Sequence, residues 1–177
     1  MSTTPTPHHA GAPSLELKLD QKKMEIKPKD LSIVWGKDNR YWSVPDDGAA
    51  AELYQVSWLE VTGCVSKTEP GKEYEVGFQL SFTADAFGWS GSPVYILAKR
   101  GKNAKFKGKK FPLDTSKESE EIKTKIDAIN NNSTTDEAED ANAKEENSKV
   151  CFGLYEVWRG KWKGGLKIHH AFIHEVD

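Results

Sequence analysis

The sequence is poor in the features that mark several protein classes. It has two cysteines in 177 residues, too few for the disulfide framework of a small secreted domain. Its formal net charge of −2 lacks the basic excess that is typical of a dedicated nucleic-acid binder. No apolar run approaches the roughly 18 residues that span a bilayer, so we expect no membrane partner. The length favours one domain with tails.

The two cysteines, Cys64 and Cys151, permit two interpretations. They are either half-buried thiols in a reducing compartment, or groups that cross-link separate chains when conditions oxidise. The first residues, Met1–Pro13, lack the apolar stretch of a secretory signal. We therefore expect a cytoplasmic or nucleocytoplasmic location.

Alternation of apolar and polar residues dominates the pattern, and it is clearest from Tyr74 to Phe82. A period of two places every apolar side chain on one face, as in a strand that lines a core. Further strand candidates are 31–35, 53–62, 94–98, 150–157 and 166–176. Short strands separated by turn residues predict an all-β sandwich or barrel.

Three segments are less regular. Residues 1–29 are predicted to be disordered up to residue 13 and then an extended lead-in or edge strand, so the domain proper should cover 30–177. Within Leu53–Thr62 the apolar positions change phase, which indicates a bulge or burial on both faces. Residues 114–149 carry eleven acidic residues against five lysines. They favour a short helix over Glu118–Ile129 and then a mobile loop.

The sequence contains no complete enzyme motif. Gly88–Ser92 resembles a nucleophile elbow but ends in Ser rather than Gly, and Gly101–Lys110 has the wrong spacing for a phosphate-binding loop. In a strand His170 and His174 would lie about 13 Å apart, too far for one metal ion. We expect no catalysis, no cofactor and no metal site.

Lysines and one arginine cluster between Lys99 and Lys110, with Phe106 among them. The cluster is either a solvated hairpin tip or a contact for RNA or a nuclear-import receptor. Its charges alone do not separate these two interpretations.

Six tryptophans are the most informative feature of the composition. A sugar site needs a flat aromatic surface for the C–H face of the ring and polar groups for the hydroxyls. Trp35 and Trp42 flank the turn 36–39, where Asp38 and Asn39 could donate or accept hydrogen bonds. The alternative is that both indoles anchor the core.

Four motifs in order resemble the phloem protein 2 (Nictaba-like) family of plant lectins. They are Leu31–Gly36 with Arg40–Trp42, Val56–Val61, Tyr74–Phe82, and Leu154–Val157 with Trp162–Leu166. The resemblance covers about residues 30–177.

This resemblance implies a jelly-roll-like β-sandwich, a homodimer, and binding of N-acetylglucosamine (chitin) oligomers, N-glycan cores or glycoproteins, in phloem sap or plant defence. The family's proposed sugar-binding positions match Trp35, Trp42 and Glu156, while a further acidic position is Lys149 here. Relatives associated with RNA and with cross-linked filaments imply the alternative of a structural or RNA-binding role.

Overall fold

The computed structural model describes residues 16–18, 23–66, 68–69, 71–101, 105–126 and 149–176. Its strands are β1 Glu16–Lys18, β2 Lys23–Ile26, β3 Ser32–Ile33, β4 Trp42–Ser43, β5 Ala51–Leu53, β6 Leu59–Ser66, β7 Glu73–Phe87, β8 Val94–Arg100, β9 Lys107–Phe111, β10 Glu120–Ile126, β11 Val150–Glu156 and β12 Gly164–Val176. One turn of 3-10 helix spans Pro28–Asp30, and no helix in these ranges is long and apolar enough to cross a membrane.

The strands form two six-stranded sheets. The first has the order β1-β6-β11-β8-β9, with β3 also paired to β6, and the second has the order β10-β7-β12-β5-β4, with β2 also paired to β12. All pairs are antiparallel except β1 with β6. The predicted all-β, jelly-roll-like sandwich is confirmed.

The core lies between the inner faces of the two sheets. On β7, Tyr74, Val76 and Phe78 are fully buried, as the alternating pattern predicts. The Phe78 ring meets Phe152 of the opposite sheet with 5.7 Å between ring centroids. Burying side chains of this size contributes about 1.5–3 kcal/mol each, so this contact zone joins the two layers firmly.

The phase change within Leu53–Thr62 has a different cause from either one predicted. The segment is two strands rather than one: Leu53 ends β5 opposite Leu166 in the second sheet, and Leu59 begins β6 opposite Glu156 in the first. The chain crosses from one sheet to the other in between. Both strands bury odd-numbered residues, whereas the even-numbered Tyr54, Val56 and Trp58 lie in the connection between them, so the prediction of a bulge or of burial on both faces was wrong.

The helix predicted over Glu118–Ile129 was also wrong within the described residues. Strand β10 occupies this region and pairs with β7 along its length. Ile122 and Ile126 are buried on one face of the strand. A spacing of four places two residues on one side of a helix and on one side of a strand, and β-branched residues favour the strand. The mobile loop predicted beyond Asn130 lies outside the described residues up to Lys149.

Strands also precede residue 30. β1 pairs with β6 in the first sheet and β2 pairs with β12 in the second, so the lead-in segment is built into the sandwich. The extended conformation predicted for it is present. The disorder predicted for residues 1–13 lies outside the described residues, and the domain boundary at residue 30 stays a prediction.

Cys64 and Cys151 form a disulfide within the chain. They stand directly opposite each other on the antiparallel neighbours β6 and β11. Directly opposed residues in such a pair bring their Cβ atoms close together, which suits a bridge. Both predictions for these residues, free thiols and cross-links between chains, are therefore corrected.

The sandwich has two chemically different ends. Short connections cross between the sheets at one of them, through the loops 34–41, 54–58, 88–93 and 157–163. All six tryptophans lie in these loops or directly beside them, and we call this the aromatic end. The opposite end carries the disulfide and the β8–β9 hairpin, and we call it the hairpin end.

Candidate functional site

Trp35 lies in the first loop of the aromatic end with an unusual backbone. It has a φ of 66°, the only positive φ of a non-glycine residue in the described part of the chain. A bulky residue in this region costs roughly 1–3 kcal/mol, and such strain often marks a functional position. The half-buried indole meets Tyr41 edge to face, with 5.1 Å between centroids. Trp35 therefore contacts the core yet retains an accessible part.

Asp38 holds the turn that follows. Its carboxylate accepts hydrogen bonds from the backbone N–H of Arg40 at 3.0 Å and from the Arg40 guanidinium at 2.8 Å and 3.1 Å. This bond to Asp38 also raises the pKa of Arg40. The backbone N–H groups of Tyr41 and Trp42 donate to the Asp38 carbonyl. Asp38 thus shapes the loop, whereas the sequence predicted it as a ligand contact.

A cleft of ≈ 330 Å³ opens beside this turn. It is lined by Lys29, Leu31, Ile33, Gly36, Lys37, Asn39, Val44 and Asp46. Three aliphatic side chains supply apolar surface, while an amide, a carboxylate and two ammonium groups supply hydrogen-bonding capacity. An amphipathic cleft of this kind suits a small polar ligand that has one apolar face. Asn39 is the predicted hydrogen-bonding residue that the structure places here.

Trp42 does not offer a binding surface in this structure. It is 1% exposed and pairs with Leu53 at the start of β4. Its indole N–H has no hydrogen-bond partner among the described residues. The ring therefore anchors the core, which is the alternative that the sequence left open, and it cannot stack on a ligand from this position.

Glu156 is also buried, at 1% exposure, where it faces the fully buried Lys163. Their charged atoms are 3.8 Å apart. The Lys163 ammonium donates to the carbonyls of Ser57 at 3.1 Å and Lys161 at 2.9 Å. Burial lowers the pKa of Lys163, and the negative charge of Glu156 opposes that shift. Glu156 thus neutralises a lysine that fastens two loops of the aromatic end, and it is shielded from a ligand.

Two other tryptophans are the exposed ones. Trp158 and Trp162, both in the loop 157–163, are 53% and 52% exposed. Trp158 meets Tyr95 edge to face at 4.9 Å between centroids. Sequence reasoning missed both, although tryptophan beside Arg, Gly and Lys between two strands is the signal that could have found them.

The basic cluster divides between core and surface. Arg100 is 8% exposed, and its guanidinium donates to the carbonyls of Lys72 and Glu69. Lys107, Lys109 and Lys110 are exposed on β9, which is the edge strand of its sheet. Lysines on an edge strand also discourage pairing with another sheet, so both interpretations of the cluster remain consistent with the structure.

Two relatives match the chain over very different lengths. The Arabidopsis thaliana protein "Protein PHLOEM PROTEIN 2-LIKE A9" is 40% identical over 195 residues, covering 99% of this chain and 100% of that protein. A protein named "Lectin" from Luffa acutangula is 38% identical over 69 residues, which cover 34% of this chain and 33% of that protein.

Among solved structures, one described as "CBM4 structure and function" aligns with a TM-score of 0.45 and 11% identity, covering 85% of this chain and 89% of that one. At these values the similarity carries no functional argument. The sequence model of the family described as "Phloem protein 2" matches residues 21–174. With this match and a relative 40% identical along almost the whole chain, the protein belongs to the Phloem protein 2 family.

Proposed function

We propose that this protein is a lectin without catalytic activity, and that it binds carbohydrate in the cleft beside the turn 36–39. The observation that carries the proposal is the composition of the cleft, in which aliphatic surface lies beside an amide, a carboxylate and two ammonium groups. A saccharide presents the same combination, with a C–H face and a rim of hydroxyls. The relative named "Lectin" supports the proposal.

The lining favours an N-acetylated sugar. An acetamide group has a methyl group, an N–H donor and a carbonyl acceptor. Leu31, Ile33 and Val44 could surround the methyl group, Asp46 could accept from the N–H, and Asn39 could donate to the carbonyl. We therefore propose N-acetylglucosamine oligomers, including the chitobiose of N-glycan cores, as ligands.

The three family-implied residues receive separate roles in this proposal. Trp35 contacts the ligand or sets the rim of the cleft, because it directly precedes the cleft residue Gly36 and remains partly accessible. Trp42 and Glu156 are positioning residues that act from the interior. Removing either should weaken binding through loop geometry, with a loss of stability that a direct contact residue would not show.

Calorimetry with chitotetraose tests the cleft. Asn39→Ala and Asp46→Ala should each weaken binding roughly tenfold, because a hydrogen bond in a partly enclosed site is lost and its partner is left unpaired. Asp114→Ala is the matched control, since Asp114 is an exposed aspartate whose carboxylate accepts hydrogen bonds from Ser116 in its own turn. Unchanged affinity in both cleft variants would refute this site.

A second candidate function is binding of RNA by the exposed lysines of β9. None of Lys107, Lys109 and Lys110 forms an ion pair with another residue in the described ranges, so their charges remain available. Phosphate binding weakens steeply with added salt, whereas binding of a neutral sugar hardly changes. A salt titration against chitotetraose and a single-stranded RNA distinguishes the two functions.

Two further proposals follow from the resemblance. We propose a homodimer, which sedimentation would test. We also propose a cytoplasmic location that extends to phloem sap, which fractionation would test. The disulfide between Cys64 and Cys151 makes the redox state of the protein in that compartment the informative measurement, because such bonds are rare in reducing cytosol.

A further inference from the structure

The loop 157–163 combines exposed aromatic surface with an exposed arginine. Trp158 and Trp162 flank Arg159, Gly160 and Lys161. Neither Arg159 nor Trp162 makes a hydrogen bond, ion pair or ring contact with any residue that the structure describes. Two half-exposed indoles on one loop are costly to leave in water, which marks the loop as a contact surface.

The loop is held in place from within. The buried Lys163 donates to Ser57 and Lys161, and the Lys161 ammonium itself donates to the Ser90 carbonyl at 3.0 Å. Gly160 takes a φ of 64° at the tip, which permits the turn between Arg159 and Lys161. A fixed loop loses little conformational entropy when a ligand binds, so its side chains are preorganised for recognition.

The charges around Trp158 are unevenly distributed. Trp158 leans on Tyr95, which stands opposite the exposed Lys110 on β9 and beside Tyr155 on β11. On the far side of Tyr155, Glu60 stands two strands from Tyr95, or roughly 10 Å. The Glu60 carboxylate accepts a hydrogen bond from the Trp58 indole N–H at 3.3 Å. The Lys110 ammonium therefore lies on the Trp158 side of this row of side chains, and the Glu60 carboxylate lies at its far end.

We propose that Trp158, Arg159 and Trp162 form a second saccharide subsite, which takes a sugar bearing a carboxylate. An indole would pack against the C–H face of the ring, and the Arg159 guanidinium would pair with the carboxylate. The proposal rests on the proposed lectin function and adds the ligand class that this end of the molecule selects.

A sugar with a single uronic acid fits this surface better than a nucleic acid does. Bases also stack on indoles, but a phosphate polymer carries a charge on every residue and needs a row of cations. The row of exposed lysines lies on β9, whereas the loop offers Arg159 together with a Lys161 that is engaged with Ser90. One arginine on a loop that also exposes two indoles matches a ring with a single carboxylate.

The test compares galacturonic acid with its methyl ester, which keeps the ring and removes the charge. The wild-type protein should bind the acid more tightly, roughly tenfold, and Arg159→Gln should abolish that difference. Trp158→Ala and Trp162→Ala should weaken binding of both the acid and the ester. Lys23→Gln and Phe106→Ala, which change an exposed cation on β2 and an exposed ring at the hairpin end, should alter neither.

An unchanged acid-to-ester ratio in Arg159→Gln would overturn the inference, and so would RNA binding that falls in Trp158→Ala and Trp162→Ala while galacturonic acid fails to bind. Thermal unfolding of each variant confirms that the fold is intact. Chitotetraose binding in the same variants keeps the two proposals separate. If Asn39→Ala weakens chitotetraose binding and the loop variants leave every ligand unaffected, the lectin proposal stands and the second subsite fails.

Discussion

The aromatic end and the hairpin end of the sandwich are stabilised by different chemistry. At the aromatic end, a buried lysine and its carboxylate fasten neighbouring loops from within. At the hairpin end, a covalent bond between β6 and β11 fixes the strands themselves, and Arg100 donates to the carbonyls of Lys72 and Glu69. The loops of the aromatic end contain no cysteine, so their rigidity depends on a network of non-covalent contacts.

The two ends also expose different groups. Trp158 and Trp162 are open to solvent at the aromatic end, and the exposed lysines of β9 extend from there toward the hairpin end. Aromatic surface attracts neutral rings with little dependence on salt, whereas lysines attract polyanions in a way that salt screens. The proposed functions assign two kinds of recognition to separate ends of one small sandwich, and this separation can be tested by disabling each end alone.

The largest expected effect comes from removing the carboxylate inside the aromatic end. Glu156→Ala leaves the Lys163 ammonium buried without its countercharge. Breaking a buried pair by removing one partner destabilises a protein by about 3–5 kcal/mol. Urea unfolding should show a loss of this size, together with weaker binding of chitotetraose.

The double variant Glu156→Leu with Lys163→Met provides the control. It removes both charges and should recover part of the lost stability, although the carbonyls of Ser57 and Lys161 lose their donor. If Glu156→Ala is as stable as the wild type, the aromatic end does not depend on this pair. The contrast with the cross-linked end would then disappear.

A smaller effect is expected from breaking the disulfide at the hairpin end. The Cys64→Ala, Cys151→Ala double variant releases a loop closed over 87 residues. Removing a native disulfide costs about 2–4 kcal/mol, mainly because the unfolded chain gains freedom. Affinity for chitotetraose should stay unchanged. A parallel loss of affinity would show that the two ends are coupled.

The sequence predicted the strands whose patterns are long and regular. Alternation from Tyr74 to Phe82 marked strand β7 because the face that carries Tyr74, Val76, Phe78 and Leu80 is buried. It could not show where the chain passes from β5 to β6, because local periodicity does not reveal a change of sheet. It also could not separate helix from strand around Ile122, since a spacing of four fits both.

The site was less predictable than the fold. Trp35 and Trp42 look equivalent beside their turn, yet one is half-buried and the other is 1% exposed. Exposure depends on the strands that cover a residue, and these come from distant parts of the chain. The sequence likewise favours a surface position for Glu156, because its partner Lys163 lies in the following loop and meets it only in the folded chain.

The smallest effect concerns Tyr155 on β11, which stands beside Tyr95, the residue that Trp158 contacts. Burial, reinforced by the negative charge of Glu60, raises the pKa of Tyr155 to about 12. In the unfolded chain a tyrosine loses its proton near pH ~10, so between about pH 10 and 12 the unfolded state binds fewer protons than the folded state. The stability linked to this group is fully present below about pH 10 and is lost as the pH rises through about 12.

Tyr155→Phe removes this titration. Relative to its own value at pH 8, the variant should lose less stability at high pH than the wild type does, by at most about 2–3 kcal/mol. Urea unfolding at steps from pH 8 to 12 measures the difference, with Tyr95→Phe as the control on the neighbouring strand. Identical pH profiles for wild type and Tyr155→Phe would mean that the Tyr155 side chain is open to water. The neighbouring pair of Tyr155 and Tyr95 would then be too solvated to hold the Trp158 indole in place, which would weaken the contrast between the two ends.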